Sequence, residues 1–70
     1  MAADVRSEVP GSVWKIVVDD GAAVAEGEEI VILESMKMEI PVVAPAGGTV
    51  RLKVEADAVV DEGDLIAVIE

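Results

Sequence analysis

The seventy-residue chain contains no cysteine and no histidine. The first absence excludes disulfide scaffolds and thiol nucleophiles. Together the two remove zinc fingers and every Ser-His or Cys-His catalytic pairing. Trp14 is the sole aromatic residue. Cations are scarce as well: five Lys and Arg against fifteen Asp and Glu leave a net charge of −10. A surface of that sign repels a phosphate backbone and an anionic membrane alike, which argues against nucleic acid and membrane as partners. Long apolar stretches are missing too. The longest uncharged run, Ile40 to Val50, is interrupted by Pro41, Pro45, Gly47 and Gly48 and falls far short of the roughly 20 residues a spanning helix needs. Met1 to Arg6 has neither a basic start nor an apolar segment, so no signal peptide is expected. Met1 reads as a natural start, and the chain is expected to be soluble and cytoplasmic.

What is present is aliphatic. Hydrophobic residues make up 53% of the chain, and Val with Ile fill 20 positions. A chain of this size buries only about 60% of the surface its unfolded form exposes, so it needs one dense core. This composition collapses and does not stay disordered. The β-branched residues fall in short runs: Val5 to Val9, Val13 to Val18, Ile30 to Leu33, Ile40 to Val43, Val50 to Val54 and Leu65 to Ile69. Between them lie Pro10-Gly11, Asp19-Asp20-Gly21, Glu26-Gly27-Glu28, Pro45 to Gly48 and Asp61 to Asp64. Short strands punctuated by turn residues predict an all-β sandwich or barrel. Only Ala56 to Val60 invites a helical misreading.

The chain also repeats itself. Glu26 to Glu34 matches Glu62 to Glu70 at an offset of 36, with Val24 and Val60 in the same register. Upstream, Gly11-Ser12-Val13 matches Gly48-Thr49-Val50 at an offset of 37, so one residue is gained or lost in between. A single domain over residues 1–70 is expected, built from quasi-repeats 9–34 and 45–70. Two equivalent halves that each bury one apolar face pack about a pseudo-twofold axis as two facing sheets. Val13 with Val50, and Ile30 with Ile66, are then paired core positions. Glu34 closes one repeat and Glu70 the other, so the segment after Glu34 is expected at the tip farthest from the chain ends.

That segment is Glu34-Ser35-Met36-Lys37-Met38-Glu39-Ile40. It has no Gly, Asn or Asp to mark a turn, yet the chain must reverse between Leu33 and Val42, with Met36-Lys37 as the natural centre. Lys37 is the only cation between Lys15 and Arg51. Two methionines are poor choices for idle exposure, although a surface lysine beside chance methionines is the plain alternative.

Glu-Ser-Met-Lys-Met-Glu resembles the attachment motif of biotinyl domains, the biotin carboxyl carrier family, whose usual core is Glu-(Ala/Ser)-Met-Lys-Met. The likeness extends over essentially the whole chain, through Ala44-Pro45, Gly48-Thr49-Val50 and Glu62-Gly63-Asp64. It implies a flattened β-barrel of two four-stranded antiparallel sheets, with biotin joined covalently to Lys37 at a hairpin tip. Asp57 stands where the family usually has a turn glycine, and Ala22 where an acidic residue often follows Gly21. No insertion is present for the protruding thumb of some bacterial members.

The resemblance further implies a carrier and not an enzyme. Its partners would be a biotin protein ligase, a biotin carboxylase and a carboxyltransferase. A lysine is mostly ammonium at neutral pH and attacks poorly until a base takes its proton, which the ligase would supply. Met36 and Met38 would offer soft, adaptable contacts to a ligase or to the biotin. Ser35 belongs to the motif, and Glu34 and Glu39 either steer docking or are solvated strand-end charges. Three other readings compete: a lipoyl carrier, an unmodified acidic adaptor domain, and a Schiff-base enzyme using Lys37. Methionine on both sides of the lysine disfavours the first. Flanking carboxylates disfavour the last, because they oppose the neutral amine it needs.

Overall fold

The computed structural model describes residues 2–70; Met1, read above as a natural start, lies outside them. Eight strands follow one another: β1 (Ala3–Arg6), β2 (Gly11–Ile16), β3 (Ala23–Val24), β4 (Glu29–Ser35), β5 (Met38–Val43), β6 (Gly48–Leu52), β7 (Val59–Val60) and β8 (Leu65–Ile69). They form two antiparallel four-stranded sheets, ordered β1-β8-β6-β3 and β5-β4-β2-β7. No helix occurs among the described residues. The expected strand run Val5 to Val9 stops at Arg6, because Ser7 leaves the sheet to pair with the acidic turn at Gly63 and Asp64. The two-residue strands β3 and β7 are too short to show any pattern in the sequence. Each exists only through its pairing, β3 with β6 and β7 with β2.

Exchanging β1 with β5, β2 with β6, β3 with β7 and β4 with β8 turns one sheet into the other. The loops obey the same exchange. Gly21 N–H donates to the Val50 carbonyl at 2.8 Å, and Asp57 N–H donates to the Val13 carbonyl at 2.8 Å. The Ala25 N–H is capped by the Glu28 carboxylate at 3.1 Å, and the Asp61 N–H by the Asp64 carboxylate at 2.8 Å. Those caps explain why the acidic turns recur along the chain. Asp57 takes up φ +70° where Gly21 has +88°; aspartate tolerates this left-handed region better than most residues.

The one residue that shifts the offset from 37 to 36 is Trp14. Val13 pairs with Leu33 and Lys15 with Ile32, so Trp14 is the extra residue of a β-bulge. On the equivalent strand Val50, Arg51 and Leu52 pair with Ile69, Val68 and Ala67 without a break. A second kind of bulge is shared by both halves, at Ile30 against β5 and at Ile66 against β1. It turns two successive side chains inward, so that Ile30 with Val31, and Ile66 with Ala67, are fully buried. Val13, Val50, Ile30 and Ile66 are all completely excluded from solvent, in one core that also holds Leu33 and Ile69.

The molecule measures 32 × 19 × 18 Å. Pairing of Ala3 with Ile69 places the two ends of the described chain side by side. Residues 7–10 then carry the chain from the far end of β1 to Gly11, which abuts Glu34 and Ser35. The turn after Ser35 therefore lies at the opposite end from the termini.

Candidate functional site

The site is built on β4 and β5, paired from Leu33 with Ile40 through Glu34 with Glu39 to Ser35 with Met38. That register leaves Met36-Lys37 as a two-residue loop. Both residues have positive φ, +52° and +65°. Two such residues define a type I′ turn, whose backbone twist matches that of the strands it joins. The turn normally selects Asn-Gly, and side chains with a Cβ are disfavoured there. The strands thus impose the turn on residues with no local preference for it, and the exposed tip carries backbone strain.

Met36 is 93% exposed and Met38 63%, and Lys37 between them is exposed. Glu34 and Glu39 face each other across the ladder, both exposed, and neither forms an ion pair among the described residues. Ser35 is engaged differently. Its hydroxyl donates to the Pro10 carbonyl at 2.7 Å and ties the root of the hairpin to the loop ahead of β2. Sequence reasoning had no signal for that bond, which joins positions 25 residues apart.

Lys37 lines neither of the two main hollows among the described residues. A groove of about 310 Å³ runs along β1 and β5 beneath the tip, lined by Val5, Val9, Leu33, Ile40, Pro41 and Val42 among others. A more open hollow lies beside Lys53 and Val59. No hairpin residue from Glu34 to Glu39 lines either one. What the tip offers is an exposed amine held on a fixed turn, with the Glu34 and Glu39 carboxylates at its base. Lys15 is exposed within β2. Lys53, expected inside a strand, is the first residue beyond β6, its N–H donated to the Ile66 carbonyl at 2.8 Å. Both lie along the body of the barrel, away from the turn.

The architecture is thus a two-sheet β fold with internal symmetry that presents a lysine on its hairpin turn. The biotin/lipoyl family model, described as Biotin-requiring enzyme, matches residues 1–69, and the chain belongs to this family. It is 50% identical to a biotinylated protein TB7.3 homolog of Mycobacterium leprae over 70 residues, 99% of either chain. It is 43% identical to a biotin/lipoyl attachment protein of Bacillus subtilis, over 89% of this chain and 86% of that one. Among solved structures, Kluyveromyces lactis urea carboxylase superposes with a TM-score of 0.93 at 37% identity, covering 100% of this chain and 6% of that chain. The fold is thus that of biotin carboxyl carrier domains.

Proposed function

We propose that this chain is a biotin carrier, modified on Lys37. A biotin protein ligase activates biotin as its acyl-adenylate; the Lys37 Nζ attacks the acyl carbon, an amide forms, adenylate leaves, and the amine proton passes to the ligase. A biotin carboxylase then places carboxylate on the biotin, and a carboxyltransferase moves it to an acceptor such as an acyl-CoA or a 2-oxo acid. The chain performs no step of this chemistry itself. Residues 1–70 act as one carrier unit in the cytoplasm, raising the effective concentration of biotin at two active sites. Met36 and Met38 provide the apolar surround of the amine, Ser35 braces the hairpin, and Glu34 and Glu39 set its charge.

The observation that carries this reading is the lysine on a strained, exposed I′ turn between two exposed methionines. The name of the Bacillus subtilis relative favours a second reading, a lipoyl group on the same lysine. Co-expression with a biotin ligase and with a lipoate ligase, followed by intact mass, separates the two. The expected product is one biotin per chain, with net charge moving from −10 to −11 as one ammonium becomes an amide. Lys37→Arg keeps the charge but has no acylatable amine. It should melt at the wild-type temperature and give no streptavidin signal. Biotin found on Lys15 or Lys53 of that variant would overturn the assignment.

A further inference from the structure

The pseudo-twofold supplies an internal comparison, because every outward strand position of one sheet except the inserted Trp14 has a counterpart on the other. On the sheet that lacks the hairpin, the row Arg51–Val68–Asp4 crosses three strands. Both arginines of that sheet are ion-paired, Arg51 with Glu70 at 2.8 Å and Arg6 with Asp4 at 3.0 Å, and Lys53 stands exposed just beyond β6. The corresponding row on the hairpin sheet is Lys15–Ile32–Pro41, with Trp14 inserted beside Lys15. Val43 stands where the other sheet has Arg6, and Val59 where it has Ala23. Trp14 is 51% exposed, Val43 45% and Val59 82%. Bulge residues that oppose a single partner point to the same side, so Trp14 joins Lys15 and Ile32 on the outer face. Exposed apolar groups have therefore accumulated on one of two equivalent faces, and it is the face whose strands carry Lys37.

We infer that this face, centred on Trp14, is the docking surface for the enzyme that acylates Lys37, and that the enzyme meets it with an apolar patch framed by lysine or arginine. The inference rests on the carrier reading. The apolar row lies two residues, about 7 Å, beyond the Glu34–Glu39 pair, within reach of a protein that holds the tip. Tryptophan is among the residues enriched at interface hot spots, and Trp14 is half exposed beside the Lys15–Ile32–Pro41 row. Beside the single cation Lys15, the charges on this face are carboxylates: Glu29, Glu34 and Glu39 are exposed and none has an ion-pair partner among the described residues. Those carboxylates complement cations on the other protein. They equally oppose a second copy of this chain, since each copy brings a net charge of −10.

The test uses the unmodified chain and a purified bacterial biotin protein ligase, with initial rates measured against carrier concentration. Trp14→Ala is expected to raise KM at least tenfold with kcat within twofold, and wild-type KM should rise with ionic strength. Arg51→Ala, on the equivalent face, should change KM by less than twofold. A fluorotryptophan-labelled wild-type chain has a single fluorine signal, at Trp14, and this should shift on adding the ligase; that measurement needs no variant to fold. Biotin transferred to Trp14→Ala with unchanged KM, and a fluorine signal that stays put, would refute the docking face and leave the carrier reading intact. A chain that accepts no biotin at all would remove the carrier reading and this inference together. A signal that shifts with carrier concentration alone would assign the face to a second copy and overturn the inference.

Discussion

Two glycines hold the barrel closed by what they lack. A Cβ on Gly11 would stand 2.6 Å from the Glu34 carbonyl oxygen, and one on Gly48 would collide with the carbonyl oxygen of Glu70. The two sites are equivalent under the pseudo-twofold, and in both the obstacle is backbone, which cannot rotate away. Gly11→Ala and Gly48→Ala should each destabilise the fold by about 1–3 kcal/mol, the usual range for forced overpacking, as read from urea unfolding. Gly11 also sits at the root of the hairpin, 3.3 Å from the Ser35 Cβ by the same measure. Of the pair, only Gly11→Ala should therefore slow biotinylation of Lys37 as well. Equal rates in the two variants would mean that the hairpin root does not position the lysine.

At the scale of strands, Trp14 and Val13 are neighbours with opposite consequences. Trp14 is a bulge residue with no counterpart on β6, so removing it restores an unbroken ladder like that of Val50 to Leu52. A chain with Trp14 deleted should fold cooperatively, its urea unfolding midpoint close to that of the wild-type chain. Deleting Val13 instead leaves the core without a side chain that is fully buried and pushes Trp14 toward its place, and that chain should not fold cooperatively. Ile30 and Ile66 make the complementary case. They occupy equivalent bulges and are equally buried, so Ile30→Ala and Ile66→Ala should each cost about 2–4 kcal/mol. Costs that differ by more than about 1.4 kcal/mol, a factor of ten in the folding equilibrium, would show that the halves are not energetically equivalent.

For the whole molecule the dominant electrostatic fact is the surplus of ten negative charges. Self-repulsion opposes the compact state, and salt relieves it. The two ion pairs among the described residues, Arg6 with Asp4 and Arg51 with Glu70, act in the other direction, since salt weakens them. Their side chains are about half exposed, and surface pairs of this kind are worth only about 0–1 kcal/mol each. The Arg51 guanidinium is held above its usual value by its hydrogen bond to Glu70 first and by the charge of that carboxylate second. Repulsion outweighs two such pairs, so the melting temperature should rise between 10 mM and 500 mM sodium chloride. A fall over that interval would mean that the ion pairs, and not the surplus charge, set the electrostatic balance.

Much of this was legible in the residues in order. Alternating β-branched runs, acidic glycine turns and a repeat near 36 residues dictate an all-β fold of two equivalent halves, because burial of one face per strand leaves few alternatives. The same repeat locates the reversal at Met36-Lys37, where no turn residue announces it. Other features belong to the assembled barrel alone. The sequence shows that a residue is inserted somewhere between Val13 and Val24, but only strand pairing identifies it as Trp14 and turns it outward. Strands β3 and β7 are too short to have a pattern and exist because β6 and β2 offer open edges. The positive φ of Met36 and Lys37 goes against local preference and is imposed by the register of β4 with β5. Ser35 finds Pro10 across 25 residues of chain. Periodicity records which side of a strand is buried, a local matter, whereas bulges, turn conformations and long-range hydrogen bonds depend on neighbours that only folding brings together.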